Sequence, residues 1–437
     1  MKISVIGCGY LGAVHAASMA ELGHEVVGID VDPHRIDSLQ KSVAPFHEPG
    51  FDALLLKNSS RLTFTTEMSA AAAATVHFVA VGTPQSADGS ADMSYVNSAI
   101  EGLLPYLSDG DLVVGKSTVP VGTAERLSEQ VKPTGAVLMW NPEFLREGFA
   151  VEDTLSPDRL VYGVPAGDDG DSATAILDEV YSEIIAKGTP RLVMNFATAE
   201  LVKVAANSFL ATKISFINAM AEVADVTGAD VTQLADAIGY DTRIGRRFLN
   251  AGIGFGGGCL PKDIRGFVAR AEELGVGDAL SFLKDVDDIN VRRRTRVAEV
   301  LTEELGDLAG KTIAVWGISF KPDSDDIRDS PALDIAESLA RAGATVVSAD
   351  PEGWKPAQAR IEQSGLSDSL TTTADHRVAV AGADALVVAT EWKVFQGENA
   401  ATIGELMSGN LVVDGRNCLD AESWKAAGFR YRGMGRA

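Results

Sequence analysis

The sequence predicts an α/β protein built from two doubly wound parallel-sheet domains joined by a long central helix. Three observations carry this. Short apolar runs alternate with helical stretches from the first residues to about 195. The alternation restarts near residue 312. Between them, residues 198–227 keep a helical pattern for roughly 30 residues, a span of about 45 Å. At 437 residues the chain exceeds a single core. The expected partition is a dinucleotide domain at 1–196, a helical and dimerising region at 197–306 and a second nucleotide domain at 307–437.

Residues 3–6 form an apolar strand, followed by Gly7-Cys8-Gly9-Tyr10-Leu11-Gly12, an alanine-rich helix to about Leu22, and a strand at 25–29 that ends on Asp30. A lone G-x-G-x-x-G is weak. Placed between a strand and a helix, with an acid 18 residues past its last glycine, it reads as a Rossmann-like dinucleotide turn. Gly7, Gly9 and Gly12 admit a pyrophosphate to the helix N-terminus, and Asp30 accepts from ribose hydroxyls. A carboxylate there repels a 2′-phosphate, so NAD is expected over NADP. Cys8 reads as structural.

Further strands at 75–81, 111–116 and 137–140 run into Gly82-Thr83-Pro84, Ser117-Thr118-Val119-Pro120 and Asn141-Pro142-Glu143-Phe144-Leu145-Arg146-Glu147-Gly148. Ligands of open parallel sheets sit beyond the carboxyl ends of strands, which puts Thr83, Thr118, Glu143 and Glu147 at that edge. For the two glutamates, an exposed loop is the competing reading. Residues 160–164 and 191–195 close the domain, with 166–171 a polar, glycine-rich loop between them. On the long helix Lys203 and Asn207 share a face. They are either surface residues or a pair that holds a substrate oxygen. Asp230-Val231-Thr232-Gln233 looks like a capping-box variant, and 280–305 like a second long helix.

Residues 254–263, Gly-Phe-Gly-Gly-Gly-Cys-Leu-Pro-Lys-Asp, set a thiol in a glycine-rich loop beside a cation. That suits an activated nucleophile, although buried cysteines are common. The second α/β unit repeats strand, helix, strand and an Asp-Pro at 350–351, but replaces the fingerprint by residues 317–328 with Lys321 and Arg328. A second, different nucleotide is the economical reading, and a purely structural domain is the competing one.

Net charge is −23, which argues against nucleic acid or an anionic membrane as a general partner. Three dispersed cysteines suggest neither a disulfide framework nor a zinc site, so no metal is expected. No stretch of 18 apolar residues and no leader-like segment appears, and a reducing cytoplasm fits best.

Taken in order, residues 7–12 with Asp30, Ser117-Thr118-Val119-Pro120-Val121-Gly122, 141–148, Lys203 with Asn207, Arg243-Ile244-Gly245, 254–263, Phe320-Lys321-Pro322-Asp323 with Arg328, and Asp414-Gly415-Arg416 resemble the UDP-glucose/GDP-mannose dehydrogenase family. The likeness covers essentially the whole chain. The segment from Arg243 to Leu249 is most similar to the UDP-glucose branch. One departure is visible: Gly258 stands where serine is usual, with altered loop flexibility as the expected effect.

The resemblance implies oxidation of a sugar C6 alcohol to a carboxylate with two NAD⁺, turning UDP-glucose into UDP-glucuronate through a thiohemiacetal and a thioester on Cys259. GDP-mannose and UDP-N-acetylmannosamine are the sibling substrates. It further implies that Lys203 and Asn207 stabilise oxyanions, that Asp263 and a water near Thr118 handle protons, and that Glu143 assists thioester hydrolysis. Gly7, Gly9, Tyr10, Leu11, Gly12, Asp30, Arg35, Thr83, Thr118, Glu147, Lys262 and Arg328 would contact NAD. Glu143, Phe144, Leu145, Arg146, Lys203, Asn207, Phe248, Leu249, Asn250, Gly256, Lys321 and Arg416 would line the UDP-sugar site. Arg243 would reach the site of a neighbouring subunit, making a homodimer. A 3-hydroxyacid dehydrogenase needs neither the cysteine loop nor residues 312–437. An inactive NAD-sensing scaffold would have lost the polar residues at the strand ends.

Overall fold

The structure is a computed structural model that describes residues 1–436. The chain packs as two compact units: residues 1–206 with 265–277, and residues 207–264 with 278 onward. The expected 197–306 region is thus divided between them.

In the first unit, β1 (Lys2–Ile6), β2 (Glu25–Ile29), β3 (Leu62–Thr65), β4 (Val76–Val79), β5 (Leu112–Gly115), β6 (Val137–Trp140), β7 (Leu160–Val164) and β8 (Arg191–Asn195) form one sheet, ordered β3-β2-β1-β4-β5-β6-β7-β8. Neighbours are parallel except β6 and β7, which meet antiparallel at Trp140 and Gly163. Strands β4 and β5 are buried along their length, as expected where helices cover both faces. Val5, Phe78 and Met139 pack into the core on one face, and Val79, Val113 and Trp140 into the core on the other. The strand β3 was not anticipated, because Leu-Thr-Phe-Thr is short and half polar. Residues 168–171, read as loop, open the Asp168–Val180 helix, where three aspartates in the first turn complement the helix dipole.

In the second unit, β9 (Thr312–Trp316), β10 (Thr345–Ala349), β11 (Leu370–Thr373), β12 (Ala385–Val388), β13 (Leu411–Asp414) and β14 (Arg430–Gly433) form a parallel sheet ordered β11-β10-β9-β12-β13-β14. Asp350, after β10, is the counterpart of Asp30 after β2, but its carboxylate fills the turn that follows β9. Its Oδ2 accepts from Ile318 N (2.8 Å), Ser319 N (3.0 Å), Ser319 Oγ (2.7 Å) and Trp392 Nε1 (3.1 Å). Its Oδ1 accepts from Glu352 N (3.0 Å) and Gly353 N (2.7 Å).

The Phe196–Thr227 helix runs for 32 residues and passes from one unit into the other between Ala206 and Asn207. Asp230 caps the next helix through Thr232 N (2.7 Å) and Gln233 N (3.3 Å). Among the described residues, no helix is long and apolar enough to cross a membrane.

Candidate active site

At the end of β1, Gly7 adopts φ +88°, and its N–H donates to Ile29 O (2.8 Å). A side chain at Gly12 would collide with Gly7 O, so both glycines are needed for the turn and for the seat of the Tyr10–Glu21 helix. Gly9 differs, since among the described residues nothing lies within 4 Å of where its Cβ would stand. An uncapped helix N-terminus that opens on free space is the cradle a pyrophosphate requires. Beside it, buried Asp30 accepts from Cys8 N (2.7 Å), Asp32 N (2.9 Å) and Arg35 Nη1 (2.9 Å). These residues fit a dinucleotide carrying free ribose hydroxyls. Leu11 packs partly against the core and Thr83 is buried, while Thr118 and Glu147 are half-buried at strand ends. Tyr10 is committed within the protein, as its hydroxyl donates to Glu48 Oε2.

The loop after β6 carries a second cluster. Lys203 Nζ lies 3.1 Å from Glu143 Oε1, with the two side chains 5% and 14% exposed. Glu143 Oε2 also accepts from Leu145 N (2.7 Å), and the Lys203 ammonium stands 5.6 Å from the Phe144 ring centre. Leu145 packs partly against the core. Exposed Arg146 is held by Asp153, through Nε (2.9 Å) and Nη2 (2.7 Å).

In the second unit, Cys259 is exposed and immediately precedes the Leu260–Glu273 helix. Asp263 N donates to Cys259 O (2.9 Å), so the carboxylate stands one turn into the helix. The helix N-terminus favours negative charge at that position. Asp263 is buried; its Oδ2 accepts from Asn207 Nδ2 (2.6 Å) and its Oδ1 from Lys262 Nζ (2.8 Å). By contrast, burial pushes the thiols of Cys8 and Cys418 upward, away from nucleophilic character.

The glycines before Cys259 serve packing. A side chain at Gly256 would collide with Asp329 O, and one at Gly257 would stand 2.7 Å from the Phe320 ring. At Gly258 a Cβ would lie 2.6 and 2.7 Å from the Arg328 guanidinium nitrogens, so this glycine leaves room for that side chain. Arg328 is paired with Asp326. Arg416 spans to Gly254 O (2.9 Å) and Phe320 O (3.3 Å), and Lys321 lies 5.2 Å from the Phe320 ring centre.

Elsewhere in this unit Phe248 holds a left-handed φ of +65°, and Asn250 accepts from Arg246 Nη1 (2.8 Å). Leu249 is buried in a small core with Ile217 and Ala221 rather than facing solvent. The Arg243 side chain is 85% exposed and paired with Asp241.

Four supporting residues escaped the sequence reading. Buried Glu48 accepts from Gly148 N (2.7 Å) and Ala150 N (2.8 Å), which ties the Glu143 loop to Tyr10 of the glycine turn. Glu200 accepts from Gly122 N and Ala124 N (both 2.7 Å), and so caps the Thr123–Val131 helix beyond Thr118. Asn290 holds Phe255 through both its backbone groups (2.7 and 2.9 Å). Lys116 is buried against Asn141. The acid in His47-Glu48-Pro49 and the lysine before Ser117-Thr118 were the available signals.

The two sheets, the dinucleotide turn and the thiol at a helix start define a nicotinamide-dependent dehydrogenase with a second nucleotide domain. The chain matches the NAD binding domain of the UDP-glucose/GDP-mannose dehydrogenase family over residues 1–185, its central domain over 197–292 and its UDP binding domain over 314–421. It is 42% identical to the UDP-glucose 6-dehydrogenase of Rhizobium meliloti over 444 residues, covering all of both chains. A UDP-glucose dehydrogenase structure from Pyrobaculum islandicum superposes with a TM-score of 0.90 at 37% identity, over 100% of this chain and 98% of that one. A UDP-D-ManNAc dehydrogenase from Pyrococcus horikoshii superposes with a TM-score of 0.84 at 28% identity, over 100% and 99%. The chain belongs to the UDP-glucose/GDP-mannose dehydrogenase family, and it is an NAD-dependent enzyme.

Proposed function

We propose that this enzyme oxidises the C6 alcohol of UDP-glucose to the carboxylate of UDP-glucuronate through a covalent intermediate on Cys259. The supporting observation is the exposed thiol at a helix start, with Asp263 one turn on and bonded to the Asn207 amide. The identity to UDP-glucose 6-dehydrogenases over the full chain favours glucose within the family.

When bound, NAD⁺ would supply the hydride acceptor for each of two oxidations. The turn at Gly7, Gly9 and Gly12, together with Asp30 and Arg35, would hold it. In the first oxidation the alcohol loses a proton along with the hydride. Lys203, Asp263 or a water at Thr118 receives that proton. Cys259 Sγ then bonds to the aldehyde carbon, and the carbonyl oxygen takes a proton to give a thiohemiacetal. The second oxidation removes the C6 hydrogen as hydride and the hydroxyl proton, leaving a thioester. Water, deprotonated by Glu143, adds at that carbon; the C–S bond breaks and the acid leaves. Lys203 and Asn207 donate to the oxygen as it gains charge, each donor worth about 3–4 kcal/mol of barrier. Lys321 and Arg416 supply positive charge for the diphosphate.

We also propose a homodimer with Arg243 reaching the partner's substrate. Phe209, Phe216 and Val223 recur every seven residues on one helix and, with Val226, are 67%, 49%, 52% and 84% exposed. An apolar stripe of this kind is suited to burial against a second copy.

Purified enzyme is assayed with UDP-glucose, GDP-mannose and UDP-N-acetylmannosamine, counting NADH per sugar. Two NADH from UDP-glucose alone is the expected result, and no turnover of UDP-glucose sinks the reading. Cys259→Ser is expected to bind both ligands yet form no glucuronate. Wild-type glucuronate formation by that variant would remove the thiol from the reaction.

A further inference from the structure

We infer that Lys213 is a positioning residue for Arg243: from the long helix, its ammonium grips the turn that carries Arg243 and sets where that guanidinium reaches. The consequence for substrate binding rests on the role proposed for Arg243 above; the hold on the turn does not.

The turn at residues 241–245 closes on one oxygen. Ile244 N and Gly245 N both donate to Asp241 O, at 2.9 and 2.8 Å. The Asp241 carboxylate accepts from Arg243 N (3.0 Å) and Arg243 Nε (3.0 Å), so backbone and guanidinium fold onto the same side chain. Gly245 ends the turn at φ +69°, in the left-handed region open to glycine. Arg243 is highly exposed, and its partner Asp241 belongs to the same turn. Its position is therefore inherited from the turn, and what fixes the turn fixes the reach of the guanidinium.

Lys213 supplies that fixing. Its Nζ donates to Ile244 O (3.0 Å) and Gly245 O (3.1 Å), the two carbonyls at the end of the turn. An ammonium carries several donors, and holding terminal carbonyls is a favoured use of lysine. The contact joins segments 31 and 32 residues apart in the chain. On its own helix Lys213 shares a face with Phe209 and Phe216, at i, i+4 and i+7 spacing, within the exposed apolar stripe. A charge in such a stripe is tolerated where the stem lies along apolar surface and the head finds acceptors beyond it. Here the acceptors belong to the Arg243 turn. The helix that would bury its apolar face against a second copy thus also carries the arm that aims Arg243.

A double-mutant cycle of Lys213→Met and Arg243→Ala tests this, with Lys213→Arg as the conservative variant. The quantity read is the KM for the sugar nucleotide that the wild-type enzyme oxidises, UDP-glucose on the function proposed above. Lys213→Met is expected to raise that KM about tenfold and leave the KM for NAD unchanged, and Lys213→Arg to restore most of the loss. In the Arg243→Ala background the same change is expected to add less than about twofold, because the arm then has nothing to aim. A role confined to stability would lower the melting temperature and multiply independently with Arg243→Ala. That result, or a wild-type KM in Lys213→Met, overturns the proposal. So does a Lys213→Met protein of lower mass than wild type in sedimentation, which would place the effect in assembly. A wild-type KM in Arg243→Ala instead overturns the role given to Arg243, and with it the consequence for substrate binding. Hydrogen exchange over peptides 240–248 then decides the hold on the turn: it is expected to quicken about tenfold in Lys213→Met, and a wild-type rate overturns it.

Discussion

Replacing Glu200 separates the worth of a hydrogen-bond acceptor from the worth of a charge. Its carboxylate caps the Thr123–Val131 helix from 78 residues away, bonding Gly122 N and Ala124 N at 2.7 Å each. Burial raises its proton affinity, and the N–H donors of that helix start only partly oppose this. Glu200→Ala removes both acceptors. Gly122 is exposed and can turn to water, whereas Ala124 is buried and its N–H is stranded. One stranded donor and one weakened cap cost about 2–3 kcal/mol. Glu200→Gln keeps an oxygen for Ala124 N–H and relieves the burial of a charge, so its net cost is below about 1 kcal/mol.

Hydrogen exchange read over peptides 117–131 measures this locally. Protection is expected to fall about 30- to 150-fold in Glu200→Ala, from the cost above at 1.4 kcal/mol per tenfold, and less than about fivefold in Glu200→Gln. Equal losses in the two variants would show that the charge, not the acceptor, holds the turn. The pH dependence carries a sign as well. A folded-state proton affinity above the unfolded one means that Glu200 adds stability as pH falls, and that this stability is lost as pH rises through the folded value.

Two further outcomes concern the loop and the core. Gly258→Ser places a Cβ against the Arg328 guanidinium, the exposed end of a flexible side chain, so thermal stability should change little. On the expectation that Arg328 contacts NAD, its displacement should raise the KM for NAD about tenfold, and an unchanged KM would remove Arg328 from cofactor binding. Among the described residues, neither ring nitrogen of buried His15 has a hydrogen-bond partner, and burial holds it well below its ordinary value. Its depressed folded value means stability is fully present above about pH 6.5 and is lost on acidification, about 1.4 kcal/mol by pH 5.5. Buried His77 adds in the same direction, less strongly because Asp111 opposes the effect of burial. His15→Phe should flatten the slope of urea stability between pH 6.5 and 5.5; parallel slopes would show that His15 does not contribute.

What was legible in the sequence was what local pattern encodes. Strands β1, β2, β4 and β9 are apolar runs bounded by turn residues, and the glycine turn sits between a strand and a helix as its spacing requires. Strands β3, β11 and β14 were missed because edge strands face less apolar surface and are written in threonine and arginine. The antiparallel step between β6 and β7 leaves no mark in either strand's own composition. Cys259, Asp263, Asn207, Lys203 and Glu143 came from motifs, and the geometry pairs Asn207 with Asp263 and Lys203 with Glu143. Glu48, Glu200 and Lys116 were overlooked for a physical reason. Their partners lie 102, 78 and 25 residues away, beyond any window in which a buried polar residue differs from a solvated one.

Asp350 and Asp30 show how one sheet topology can carry two differently filled turns. Ile318 N and Ser319 N both donate to the Asp350 carboxylate, as Cys8 N donates to Asp30 in the first sheet. What Asp350 adds over Asp30 is a bond from a second amide of the turn, Ser319 N, and from the Ser319 hydroxyl. The two sheets share a topology and an acid at the same place, and differ in which donors of the turn that acid holds.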